Sequence, residues 1–161
     1  INNLIIRNSN RGIAIFAGED GTVSNVKITN LIVDSHIFAG PWWGKGEALV
    51  LCAAHANSLI EDISVNCVTV SAENSTVIYG VNKNIRNVRL HDWNIRLSYG
   101  KARPLYGSSY DLAPHQSFPA PDARKELPWL YVEGVEKPAT ENIRVTSNHE
   151  EYDFSTKEIV K

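Results

Sequence analysis

Two acids, Glu19 and Asp20, stand between glycines in "NSNRGIAIFAGEDG" (Asn8 to Gly21), just after the apolar run Ile13-Ala14-Ile15-Phe16. Neighbouring carboxylates after a strand could serve acid–base chemistry, and a glycine-bounded turn could cradle phosphate. A phosphate cradle needs a strand-to-helix transition and usually a Lys, and neither follows here. The acids therefore read as solvated turn residues. The second concentration of chemistry lies in two long loops, "HIFAGPWWGKG" (His36–Gly46) and "YGKARPLYGSSYDLAPHQSFPAPDARKE" (Tyr99–Glu126). They carry Phe38, Trp42, Trp43, Tyr99, Tyr106, Tyr110 and Phe118, with Lys45, Lys101 and Arg103 among them. Sugars offer C–H faces to aromatic rings and hydroxyls to polar groups, so the mixture suits a carbohydrate wall. The same rings could also anchor long loops to the body of the fold. Adjacent residues of an extended loop point opposite ways, so one of Trp42 and Trp43 is expected to pack and the other to face out. If the ligand is acidic, Lys45 and Arg103 are the candidate cations, Arg103 first because a planar guanidinium grips a carboxylate with two hydrogen bonds; a solvated loop charge is the alternative reading.

The remaining reactive residues form no pattern. His36, His55, His91, His115 and His149 lack metal-ligand spacing, no Asp cluster suggests a Ca²⁺ site, and no metal or cofactor is expected. His55, which follows the strand-like run Ala48–Cys52, reads as a solvated turn residue. Cys52 and Cys67 are too few for a disulfide framework, and each sits in an apolar run where a buried free thiol is expected.

The elements that must position these residues emerge from internal repetition. "NLIIRN", "NVKITN", "DISVNC", "NVRLHD" and "NIRVTS" open at 3, 25, 62, 87 and 142. Each begins with Asn or Asp and places apolar residues one and three positions on. The three middle copies continue with Leu31/Val33, Val68/Val70 and Trp93/Ile95. This is the alternation of a strand with one buried face. A basic spacing of roughly 22–25 residues with two enlarged members is a solenoid period. The leucine-dense consensus of leucine-rich repeats is absent. Asn or Asp before each strand suits a left-handed corner, with side chains stacked in a hydrogen-bonded ladder. The pattern predicts an all-β, right-handed parallel β-helix of about four to five coils, a single unit over 1–161 with loop insertions at 36–46 and 99–126.

Each coil needs a second strand. Gly12–Phe16, Ala48–Cys52, Ser75–Tyr79 and Trp129–Glu133 are assigned to it, so "GIAIF" is a coil strand. Ile13/Ile15, Leu49/Leu51, Thr76/Ile78 and Leu130/Val132 then point inward. Ala14/Phe16, Val50/Cys52, Val77/Tyr79 and Tyr131/Glu133 point outward, a face with one carboxylate. The 161 residues suffice for a core, the net charge of −2 gives no electrostatic footprint for nucleic acid, and no apolar run is long enough to span a bilayer.

"NSNRGIAIFAGEDGTVSNVKITNLIV", with the later "RPLYG…DL" and "WWGKGE", resembles glycoside hydrolase family 28, the polygalacturonase-like enzymes, over most of the chain. The resemblance implies inverting hydrolysis of a pectin-like cell-wall polysaccharide and a secreted or periplasmic protein. It places the family's uronate-binding Arg and Lys at Ala14 and Phe16, and a substrate-contacting Tyr near His55. The family's catalytic aspartates lie upstream in Asn-Thr-Asp, Asp-Asp and Gly-His-Gly motifs that do not occur here. This implies a C-terminal portion with no catalytic residue of its own. The expected substrate contacts are Phe16, Trp42, Trp43, Lys45, His55, Arg103, Tyr106 and Tyr110, and the expected partner is a polysaccharide or oligosaccharide. A non-catalytic carbohydrate-binding or structural β-helix, or a polysaccharide lyase on the same architecture, remains the alternative.

Overall fold

A computed structural model describes residues 1–106, 110–114, 127–147 and 158–161. Its strands are β1 (Asn2–Ser9), β2 (Arg11–Phe16), β3 (Thr22–Ser35), β4 (Glu47–Ala53), β5 (Leu59–Ala72), β6 (Thr76–Gly80), β7 (Ile85–Leu97), β8 (Leu130–Glu133), β9 (Ala139–Ser147) and β10 (Glu158–Val160). The single helical turn among the described residues, α1, is Arg103–Tyr106. Odd-numbered strands form one five-stranded sheet in the order β1-β3-β5-β7-β9, and even-numbered strands form a second in the order β10-β8-β6-β4-β2. Every pairing is parallel. The chain thus changes sheet at each step from strand to strand, and the protein is all-β with parallel sheets.

Alternation decides which side chains are buried. Ile28, Leu31 and Val33 of β3, Ile63, Val65, Val68 and Val70 of β5, and Val88, Leu90, Trp93 and Ile95 of β7 join Leu49, Leu51, Ile78, Leu130 and Val132 of the second sheet in one apolar cluster. Trp93 satisfies its indole N–H on the Val65 carbonyl at 2.9 Å. The inward set expected for the second sheet is found in this register: Ile13 pairs with Leu49, Ile15 with Leu51 and then Ile78, and Thr76 with Leu130. Ile13 and Ile15 face the cluster but are only partly buried, because β2 is an edge strand with a neighbour on one side. At Gly12 a Cβ would lie 2.1 Å from the Ala48 carbonyl oxygen, so glycine permits this close approach of β2 to β4.

Two rows of left-handed residues bend the long strands of the first sheet. Asn25, Asp62 and Asn87 (φ 58°, 57° and 51°) form one, and Asn3, Asn30, Cys67, Asp92 and Asn142 (φ 56°, 54°, 55°, 58° and 53°) form the other. Most L-residues pay about 1–2 kcal/mol in this region, and Asn and Asp are the usual exceptions. Their side chains stack across strands. Asn30 Nδ2 donates to Asn3 Oδ1 at 3.1 Å, Asn142 Nδ2 to Asp92 Oδ1 at 2.6 Å, and Asn87 Nδ2 to Asp62 Oδ1.

The rows correct the repeat alignment. The sequence sets Asn3 and Asn142 beside Asn25, yet Leu4 pairs with Leu31 and Ile143 with Trp93, so both belong to the second row. β3 and β7 carry the Asn/Asp-plus-alternation pattern twice, at Asn25 and Asn30 and at Asn87 and Asp92. The single copy in β9 therefore fits either row, and only pairing chooses between them. Cys67 departs from expectation as well: it is an exposed corner residue, not a buried thiol.

Cys67 is the one residue of the second row without a carboxamide or carboxylate. Cys67→Asn should relieve about 1 kcal/mol of backbone cost and raise the melting temperature by about 2–4 °C. Cys67→Val should lower it. Differential scanning calorimetry checks both; an Asn variant no more stable than the parent would remove the corner argument.

Candidate functional site

The alternation that turns Val33, Val70 and Ile95 inward turns Ile32, Asp34, Thr69, Ser71, Asn94 and Arg96 outward. Register aligns Asp34, Ser71, Arg96 and Thr146 in one row across four strands. Together with Arg7 of β1 they line a groove of 470 Å³ on the outer face of the first sheet. A 280 Å³ hollow adjoins it, sharing Ile32 and Thr69 and reaching Asn3, Ile5 and Cys67. The groove is lined by hydroxyls, a carboxamide, the Asp34 carboxylate and two exposed guanidiniums, and neither Arg7 nor Arg96 forms an ion pair with a described residue. Three strand steps separate them, about 14 Å at the usual strand spacing.

Asp34, on the wall of this groove, belongs to a linked set of titratable groups. His36 Nε2 lies 3.0 Å from Asp34 Oδ1, and His36 Nδ1 lies 3.1 Å from Glu73 Oε1. The Ile37 amide donates to Glu73 Oε2 at 2.8 Å, and the Asn8 amide to Asp34 Oδ2 at 3.3 Å. Burial works to lower the His36 pKa. The hydrogen bonds and charges of Glu73 and Asp34 outweigh it and hold the imidazole above its ordinary value. The sequence set His36 aside for want of metal spacing. Asp34 and His36 two residues apart at a strand end were a local signal, but Glu73 arrives from the connection between β5 and β6.

The two insertions converge, as their equivalent exits from β3 and β7 imply. The tie between them is the carboxylate of Glu47, fully buried at the start of β4. Glu47 Oε2 accepts from the Lys45 amide at 2.6 Å, and Oε1 accepts from the Asp111 amide at 2.9 Å. Asp111 in turn accepts from the Gly44 amide at 2.5 Å and the Ala113 amide at 2.8 Å. Arg11 lies across both acids: Nε is 3.7 Å from Glu47, Nη2 donates to the Asp111 carbonyl at 2.6 Å, and Nη1 donates to the Ala113 carbonyl at 3.0 Å. Burial pushes the Glu47 carboxyl upward, against the pull of Arg11 and of the amide hydrogen bonds.

Segment 110–114 covers the outward face of the second sheet. Tyr110 and Leu112 close over Val50, Cys52, Val77, Tyr79 and Tyr131 in a second apolar cluster, where Val50, Cys52 and Val77 are 0 % exposed. The face read from sequence as outward is thus outward from the first core and yet enclosed. Burial raises the Cys52 thiol to about 12, and it raises the hydroxyls of Tyr79, Tyr110 and Tyr131. Tyr131 O–H donates to Glu133, the one carboxylate of this face.

The expected sugar contacts are dispersed. Tyr110 is buried, paired with Ser75 Oγ at 2.9 Å and packed 4.9 Å from the Tyr131 ring, so it seals the second cluster. Arg103 is also buried, donating to the Glu73 carbonyl at 2.6 Å with its guanidinium 6.0 Å from the Tyr99 ring centroid. Its charge braces the scaffold, which the sequence could not show because the acceptor is a main-chain oxygen. Phe16 is half-buried beside this cluster, with the Arg11 guanidinium 5.6 Å from its ring. His55 is half-buried in the turn after β4, and its carbonyl accepts from Ser58 and Asn84. Lys45 Nζ stands 5.8 Å from the Tyr106 ring and joins the two insertions at the surface.

Trp42 and Trp43 are 59 % and 61 % exposed, so the expectation that one of them packs is corrected. Gly40 and Gly44 (φ 116° and 97°) turn the loop on either side, and Trp42 Nε1 bonds back to the Ala39 carbonyl at 3.1 Å instead of to the sheets. Phe118, His115 and His149 lie outside the described residues, as does most of 99–126. No group of His, Cys, Asp and Glu among the described residues is arranged to hold a metal ion. Compared with known proteins, the chain matches no family model, no curated sequence and no solved structure.

Removing one partner of a buried charge pair leaves the other uncompensated, at a cost of about 3–5 kcal/mol. Glu47→Ala should therefore lower the melting temperature by about 10 °C or more and render segment 110–114 cleavable by protease. A variant melting with the parent would show that the insertions are held by packing alone.

Proposed function

We propose that the chain is a right-handed parallel β-helix and the C-terminal part of a polygalacturonase-like glycoside hydrolase, providing one wall of a cleft for a pectin-like cell-wall polysaccharide. Strict alternation between two parallel sheets, in register through rows of left-handed Asn and Asp, supports the architecture. The observation that carries the function is the groove on the first sheet, where Arg7 and Arg96 flank Ser71, Thr69 and Asn94. Guanidiniums with no ion-pair partner among the described residues suit the acid groups of a uronate chain, and the hydroxyls and carboxamide between them suit its hydroxyls; the Asp34 carboxylate on the same wall is engaged by His36 and the Asn8 amide. The uronate cations in this reading are Arg7 and Arg96. They replace Arg103, and the exposed Trp42, Trp43 and Lys45 offer a separate stacking surface.

Inverting hydrolysis needs two carboxyls about 6.5–9.5 Å apart with a water between them. Asp34 and Glu73 bracket the His36 imidazole, which fills the place where that water would stand. The groove is thus read as a binding wall, with the catalytic acids contributed from N-terminal of Ile1 in a secreted or periplasmic enzyme. The filled gap equally favours a second reading, a carbohydrate-binding β-helix without catalysis.

Calorimetric titration tests the binding. Oligogalacturonate should bind, a neutral glucan of the same length should not, and Arg96→Ala or Arg7→Ala should weaken binding about tenfold, the value of one charged hydrogen bond of about 1.5 kcal/mol. Equal affinity for both glycans would overturn the acidic-sugar reading. Reducing-end assays then separate the alternatives. The 161-residue chain should release nothing, and the chain with its natural N-terminal extension should release sugar with inversion. Release by the 161 residues alone would place the acids here and refute the partition.

A further inference from the structure

The loop 36–46, which presents Trp42 and Trp43, stands on two feet of different chemistry. At its C-terminal foot, the Gly44 and Lys45 amides meet Asp111 and Glu47, and the Gly46 amide meets the Asn10 carbonyl at 2.7 Å. The Gly46 carbonyl accepts from Ser35 Oγ at 2.9 Å, and the Lys45 carbonyl from Asn74 Nδ2 at 3.1 Å. At its N-terminal foot, the His36 amide meets the Ser9 carbonyl at 2.8 Å, and among the described residues Asp34, His36 and Glu73 supply the side-chain ties of His36 and Ile37. Phe38 lies edge-on to the imidazole at 6.2 Å.

We infer that the Asp34–His36–Glu73 bridge is a proton-operated latch on this loop, closed while the imidazole carries a proton on both nitrogens and released when it loses one. With both protons, His36 donates to Asp34 at the end of β3 and to Glu73 of the β5–β6 connection, and so clamps the start of the loop between two elements. Loss of one proton to solvent leaves one ring nitrogen as an acceptor facing a carboxylate, which repels it. The carboxylate so released is Asp34, on the groove wall, or Glu73, which also holds the Ile37 amide. Two further charges stand around the bridge: Arg103 binds the Glu73 carbonyl, and Arg7 lines the groove beside Asp34. The two aromatic rings exposed on the loop are therefore placed by an imidazole whose protonated form Asp34 and Glu73 favour.

The sign follows from the raised imidazole. The clamp is complete below the ordinary value of 6.5 and is lost as the pH rises through the higher folded value. The latch does not depend on the nature of the glycan.

Acrylamide quenching of tryptophan fluorescence in the 161-residue chain, from about pH 5.5 to 9, reads it. The parent should show one step in indole accessibility, with a midpoint above 6.5. His36→Gln, which keeps a hydrogen-bonding side chain but does not titrate, should abolish the step. Glu73→Gln should lower its midpoint, and it serves as the second variant if His36→Gln does not fold. The double substitution Trp42→Phe and Trp43→Phe should remove the signal, since Trp93 and Trp129 are buried. A step that survives His36→Gln, or that stays when both exposed indoles are gone, would assign it to another group. A flat parent profile while the His36 ring titrates by NMR would overturn the latch.

Discussion

The left-handed backbone repeated at Asn25, Asp62 and Asn87, and again from Asn3 to Asn142, is the constraint from which the rest of the structure follows. Each such residue inserts a corner into a long strand, and equivalent corners must fall at the same height for the parallel pairing to continue. Asn and Asp tolerate the conformation and hydrogen-bond to their counterparts on the next strand. Once the corners are aligned, alternation leaves no freedom. Leu31, Val68, Trp93 and Ile143 must share one inward row, and Asp34, Ser71, Arg96 and Thr146 one outward row. Core and groove are two sides of the same register.

The insertions obey a different logic. Their described residues carry little regular structure, and a buried charge that organises main-chain amides sets their path. Glu47 receives one amide from each insertion, and Arg11 spans the two acids from the edge strand β2. Beside this cluster, the Tyr110–Ser75 hydrogen bond is the other polar tie of segment 110–114 to the second sheet among the described residues. With it, Tyr110 and Leu112 bury a face that the strand pattern alone would leave open. The price is paid at Arg11, whose Nε finds no hydrogen-bond partner among the described residues. Trp42, Trp43 and Lys45 are left on the surface by the same anchoring, because the loop is gripped at its feet and not along its crest.

Strand content was legible because period-two alternation is a local signal: the paired inward residues of β2, β4, β6 and β8 follow directly from it. The row to which Asn3 and Asn142 belong was not, since each long strand repeats its motif and the choice depends on a neighbour distant in sequence. Among candidate contacts, residue type misled where burial decided. Arg103 and Tyr110 have side chains suited to sugars, yet both are spent on internal partners, a carbonyl and a hydroxyl that no motif announces. Arg7 and Arg96 escaped notice for the opposite reason. They sit inside repeats that read as scaffold, and only the alignment of strands brings them to one groove. The pairing of His36 with Glu73 likewise spans two connections and has no local trace beyond Asp34.

The separation of inward and outward rows also bears on how such a protein could change under selection. Thr69, Ser71, Asn94 and Arg96 alternate with Val68, Val70, Trp93 and Ile95, so neighbours in the chain answer to different demands. A substitution at an outward position alters the chemistry of the surface and leaves the interior packing untouched. Each position is flanked by counterparts one strand away, so a new specificity can be assembled one tile at a time. Packing constrains the inward row, and solvent leaves the outward row free of that constraint.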